Sequence, residues 1–197
     1  MKRRSILLGI VAVAAFLAVL VGFGAYKSQT IGGAAAAPSP GMPFNLVDQR
    51  GRVVTDRELL GKPTAMFFGF TYCPEVCPMT LAAMTRWMKA LGPDADRLNV
   101  VYVTIDPERD TPRQLATYLA NFDHRIRGLT GTTAEIAKVA KEYGVYFQKV
   151  PLKGGGYTMD HSTAIYLLDA HGGYDSVITY QEPDNQAVSQ LRALMDG

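Results

Sequence analysis

The stretch TAMFFGF, residues 64–70, constrains the fold more than any other part of the chain. After its first residue it carries no polar side chain and no alternation, so it cannot be a strand with one wet face. A continuous apolar run of this length suits a strand covered on both sides, the central position of a parallel α/β sheet. It leads directly into TYCPEVCP, residues 71–78, which holds both cysteines of the chain, each followed by a proline. Open α/β sheets form their sites outside the carboxyl ends of the parallel strands. Cys73 and Cys77 therefore stand where chemistry is expected.

The flanking segments read as alternating elements. FNLVDQRGRVV places short apolar runs on either side of Asp48 to Gly51, a hairpin signal, and TDRELLGK reads as one helical turn closed by Gly61. Leu81, Met84, Met88 and Leu91 fall on one face of a helix begun by Pro78 and stopped by Gly92 and Pro93. NVVYVTI is a second buried strand. Thr111 caps a helix with Pro112 at its first position, and Thr132 or Thr133 caps the next. STAIYLLD and YDSVITY flank the AHGG turn as a hairpin, and PDNQAVSQLRALM closes the chain as a helix. This order is that of an α/β, thioredoxin-like fold with an N-terminal β-hairpin extension and an extra helix inserted in the middle.

Residues 6–26, ILLGIVAVAAFLAVLVGFGAY, hold no charge and no proline. At about 1.5 Å per residue such a helix spans the roughly 30 Å hydrocarbon core. A cleaved signal peptide is the competing reading, but its apolar region usually runs only about 7 to 15 residues. Lys2, Arg3 and Arg4 outweigh Lys27 on the far flank, so the amino terminus is expected in the cytoplasm. The expected organisation is a membrane anchor over 1–27 (a single N-terminal transmembrane helix), a flexible linker over 28–41, and a globular domain over 42–197. The expected location is the bacterial inner membrane, single-pass, with the domain in the periplasm. The formal charge is +2, and removing the four cations that precede Asp48 leaves −2 for the remainder. No basic stripe is left to bind a phosphate backbone, so nucleic acid is not a partner.

Three readings compete for the cysteines. A disulfide closing five residues contributes only about 2 kcal/mol in the loop-entropy model, against nearly 5 for a loop of about a hundred, so this is a poor place for a staple. A redox couple of the thioredoxin type has two intervening residues, where this chain has three. The prolines after both cysteines disfavour helical dihedrals there, which predicts an irregular loop leading into the helix at Pro78. A metal is the third reading and needs another ligand. His124 lies just past a helix and His171 in a hairpin turn, whereas His161 sits in a loop before a buried strand that the fold brings against the cysteine loop. Two thiolates and an imidazole form a soft, three-ligand set that favours Cu(I) over four-coordinate structural zinc, and with a further weak ligand it also suits Cu(II).

FFGFTYCPEVCP, TIDPERDTP and DHSTAIYLLD, in that order, closely resemble the Sco/SenC proteins, and the resemblance runs over residues 40–196. Those proteins are membrane-tethered, thioredoxin-like copper chaperones that help to assemble the dinuclear copper centre of cytochrome c oxidase. The resemblance implies that Cys73, Cys77 and His161 bind one copper ion for delivery to the copper-bearing oxidase subunit, with other periplasmic copper chaperones as further partners. It also implies supporting roles for Asp106, behind the imidazole or facing the partner, and for Asp160. Met79 and Met159 flank the ligands in sequence. The alternative reading is an enzyme, a thiol-disulfide oxidoreductase that uses Cys73 and Cys77 to reduce the oxidase subunit's copper-binding cysteines.

Overall fold

A computed structural model describes residues 43–197; the expected anchor and linker lie outside the described residues. No helix among the described residues is long and apolar enough to cross a membrane. The amino-terminal hairpin forms as expected from β1 (Asn45–Asp48) and β2 (Val53–Thr55), and a single 3-10 turn over Asp56–Leu59 follows it. TAMFFGF supplies β3 (Thr64–Gly69), whose six residues are all buried. It is followed by helix α1 (Val76–Leu91), which buries the expected Leu81, Met84, Met88 and Leu91. Strand β4 (Asn99–Thr104) comes next, then α2 (Pro112–Leu119), where the Thr111 hydroxyl accepts from the Gln114 amide.

Two parts of the chain depart from expectation. A strand, β5 (Ile126–Thr130), runs between α2 and the following helix α3 (Thr133–Glu142) and pairs in parallel with β4. Its sequence IRGLT hides it, because Arg127 and Gly128 interrupt the apolar run. Gly128 is there for packing: a Cβ on it would stand 2.5 Å from Leu119 Cδ1, so α2 lies directly on the bare backbone. The second departure is a hairpin of β6 (Phe147–Pro151) and β7 (Tyr157–His161), where a loop was expected before the buried strand.

Strands β8 (Ile165–Leu168) and β9 (Tyr174–Ile178) and the final helix α4 (Asp184–Asp196) complete the domain. The main sheet has seven strands in the order β2-β1-β5-β4-β3-β8-β9, with β3, β4 and β5 mutually parallel and β8 antiparallel to β3. The β6–β7 pair forms a separate two-stranded sheet. Helix α1 packs on α4, and α2 on β5. The central strands β3 and β4 therefore lie in a dry interior, and their carboxyl ends open toward the cysteine loop.

Candidate metal centre

The chain leaves β3 at Gly69, turns through Phe70–Glu75 and enters α1. The turn is closed by the Cys73 amide, which donates to the Phe70 carbonyl at 3.2 Å. The helix begins at Val76, two residues before Pro78, so Cys77 is helical where an irregular loop was expected. The physical reason is that a first-turn proline gives up an N–H that has no intrahelical partner in any case, and the bias on the residue before it is outweighed. Helix entry also places Cys73 Sγ over the new amino terminus, where it accepts the Cys77 amide at 3.4 Å and does what a capping oxygen usually does.

The two sulfurs differ sharply. Cys77 is fully buried and Cys73 half-buried, and neither is in a disulfide. The Cys73 thiol is held down to about 4, chiefly by its hydrogen bond from the Cys77 thiol, with further help from the Cys77 and Glu75 amides, against the opposing effect of burial. The Cys77 thiol is pushed up by the Cys73 thiolate beside it and by burial. Both shifts favour the negative charge on the outer sulfur and the proton on the inner one. Gly69 makes this seat possible, since a Cβ there would lie 2.8 Å from Cys77 Sγ and 2.9 Å from the Tyr102 ring.

His161 arrives as the last residue of β7. Alternation along the strand puts Tyr157, Met159 and His161 on one face, and Met159 is buried in the core. Ring nitrogen Nδ1 lies 2.6 Å from the Ser162 carbonyl oxygen. A carbonyl only accepts, so Nδ1 carries the proton in the neutral ring and Nε2 keeps its lone pair. Nε2 is 3.7 Å from Cys77 Sγ, and the Phe70 ring meets the imidazole edge to face at 5.8 Å between centroids. The two sulfurs and Nε2 all lie within 4.8 Å of one another.

Neither expected acidic support touches the imidazole. The Asp106 carboxylate, 2% exposed, is taken by Arg109 and by the Tyr157 hydroxyl at 2.8 Å. Asp160 points from the opposite face of β7 and is exposed. The imidazole is instead oriented by the backbone carbonyl of its own neighbour. Met79 receives the Tyr180 hydroxyl at 3.8 Å on its sulfur. His124 is 90% exposed beside Asp123, and His171 is exposed in its turn, as expected.

The SCO1/SenC family model matches residues 33–196. The chain belongs to this family. Protein SCO1 of yeast mitochondria (Saccharomyces cerevisiae) is 40% identical over 157 residues, 78% of this chain and 53% of that protein. The chain spans about half the length of such curated relatives. Among solved structures, Bradyrhizobium japonicum ScoI with copper bound superposes with a TM-score of 0.75 at 46% identity, over 79% of this chain and 99% of that one. BsSco, a member of the Sco family of cytochrome c oxidase assembly proteins in which a disulfide switch has been identified, gives a TM-score of 0.66 at 26% identity over 80% of this chain and 94% of that one.

Two features of this Sco domain escape the sequence reading. Asp110 is a fully buried carboxylate that accepts from the Thr71 amide at 2.9 Å and from the Thr71 and Thr104 hydroxyls, both at 2.6 Å. Burial raises its pKa while these three donors pull the other way. It fastens the cysteine turn of the Sco site to the end of β4. Arg109 is the other, with its guanidinium stacked on Tyr157 at 3.8 Å and on Tyr72 at 4.6 Å. Both residues lie in DPERD, and an unpaired acid beside an arginine in a strand-end loop was the available signal.

Proposed function

We propose that the protein is a copper metallochaperone that holds one Cu(I) on Cys73, Cys77 and His161 and delivers it to the copper-bearing subunit of cytochrome c oxidase. The observation that carries this is the meeting of two sulfurs and an imidazole nitrogen within 4.8 Å, from positions 84 residues apart in the chain. The donor set is soft and supplies three ligands, which fits Cu(I) better than a closed structural zinc site. The copper in the Bradyrhizobium relative and the family's link to oxidase assembly support the cargo and the destination. Disulfide exchange needs no imidazole at the sulfurs, so the oxidoreductase reading leaves His161 without a role.

Thiolates, not thiols, bind the metal, so loading is coupled to proton release. The depressed Cys73 value favours its thiolate, so the inner thiol is the one that must give up its proton. Loading Cu(I) is therefore accompanied by proton release. The apolar run over 6–26, the cations ahead of it and the linker over 28–41 support tethering at the periplasmic face of a bacterial inner membrane, where other copper chaperones would supply the metal.

The test is an anaerobic Cu(I) titration of the reduced protein, followed by mixing with an apo copper-bearing oxidase subunit. One equivalent should bind with release of protons, and the metal should move to the subunit. Unchanged affinity in His161→Ala would overturn the assignment.

A further inference from the structure

The loop Asp106–Asp110 has no ligand in it, yet it grips both halves of the site. Its last residue, Asp110, fixes the cysteine turn through Thr71. Its other residues hold the β6–β7 hairpin, which has no strand pairing to the main sheet. The grip centres on Tyr157, the residue that begins the strand His161 ends. Asp106 receives the Tyr157 hydroxyl, and Arg109 Nη1 donates to the Tyr157 carbonyl at 2.9 Å. The Tyr157 ring has two cations against it, the Arg109 guanidinium at 3.8 Å and the Lys149 ammonium at 4.2 Å, and Glu108 in turn pairs with Lys149 at 2.8 Å.

Arg109 is the junction. Its Nε donates to Asp106 and its Nη1 to the Tyr157 carbonyl; one neighbouring ring is Tyr157 of the hairpin, and another is Tyr72, adjacent to Cys73. Its Nη2 is buried without a hydrogen-bond partner among the described residues. A side chain held this way, between the residue next to one sulfur and the strand that carries the imidazole, sets how far apart the two are. Lysine could keep the charge beside Asp106, but it has no planar fork and would bond only one of the two acceptors well.

We propose that Arg109 is a positioning residue for copper binding: by clamping Tyr157 against Tyr72 and Asp106, it holds the hairpin so that His161 Nε2 reaches the thiol pair. The inference rests on the copper reading of the site for its metal readout, and its geometric half is tested without metal. Removing the clamp lets the hairpin pivot, and copper is then held by the two sulfurs with the imidazole absent.

The experiment compares the full reduced protein with Arg109→Ala, Arg109→Lys, His161→Ala and the double variant Arg109→Ala/His161→Ala. Amide hydrogen exchange in the metal-free state should quicken across residues 147–161 in Arg109→Ala and leave β3 and α1 unchanged. Competition for Cu(I) should show Arg109→Ala weakening affinity by about 10-fold to 100-fold, the range for loss of a residue that orients a ligand. Arg109→Lys should fall between it and the wild type. In the double variant the Arg109 change should add almost nothing to the loss from His161→Ala. Full additivity would show that Arg109 acts elsewhere than through His161 and would overturn the proposal, as would unchanged hairpin exchange. If the wild type failed to bind Cu(I), the function proposed above would fall, and hairpin exchange alone would decide the clamp. If Arg109→Ala proves too unstable to purify because Asp106 is left buried and unpaired, Arg109→Lys, which retains the charge, decides by the same two readouts.

Discussion

The two halves of the metal centre are built differently. The cysteines sit where the central strand β3 meets α1, with Cys77 fully buried and the turn between them fixed by backbone bonds and by Asp110. The histidine sits on a peripheral pair of strands, of which β6 is mostly exposed and β7 half-buried, and which shares no ladder with the main sheet. Opening the first half means disturbing the centre of the core; opening the second means lifting Met159 from the core's edge and breaking the side-chain contacts around Tyr157. Local stability follows buried contacts, so the sulfurs form the fixed part of the site and the imidazole the adjustable part.

The largest test of that contrast is at the fixed half. Cys77→Ser should abolish Cu(I) binding, seen as loss of the stoichiometric step in the titration, because the remaining thiolate and imidazole no longer form a three-ligand set. Gly69→Ala comes next: a methyl group 2.8 Å from Cys77 Sγ and 2.9 Å from Tyr102 overfills a packed site. Such overpacking costs about 1 to 3 kcal/mol, to be read as a lower denaturation midpoint together with weaker metal binding. His161→Ala belongs to the adjustable half and should separate the two effects. Copper affinity should drop by more than the roughly 10-fold to 100-fold seen for orienting residues, with the unfolding midpoint of the apo protein almost unchanged.

The charge distribution gives a pH test of the fixed half. With Cys73 held down to about 4, its alkylation by iodoacetamide should proceed at a nearly constant rate from about pH 6 to about pH 8, where an ordinary thiol speeds up about tenfold per unit. Cys77 should stay unlabelled until the protein unfolds. The depressed Cys73 value also favours the folded state: its contribution is complete above the ordinary thiol value of 9.0 and is lost as pH falls through about 4. Above 9.0 the raised Cys77 acts in the opposite sense, since the unfolded chain then gives up a proton that the folded one keeps. Urea unfolding of the reduced apo protein across this range would show the rise and the turnover. The smallest effect is expected at Asp160→Asn, which should leave copper affinity within about twofold, as exposed substitutions with no partner usually do.

The sequence was most legible where elements were strongly patterned or capped. The double-sided apolar run of β3, the helical stripe of α1 and the Thr111 and Thr132 caps all appear where their residues imply. Cys73, Cys77 and His161 could be singled out because few soft ligands exist in the chain. Strand β5 was illegible because Gly128 answers to α2 packing on it, a tertiary demand with no local signature. The β6–β7 hairpin was hidden because FQKVP faces solvent and shows no alternation. Asp106 was visible as an acid near the site, but the direction of its side chain, toward Arg109 and Tyr157 and not toward the imidazole, depends on which loop meets which strand.

The depth of the Cys77 seat behind Gly69 gives the site an inside and an outside. In the transfer proposed above, a ligand arriving from another protein would meet Cys73 and the imidazole first, and the recessed Cys77 sulfur would be the last to let go.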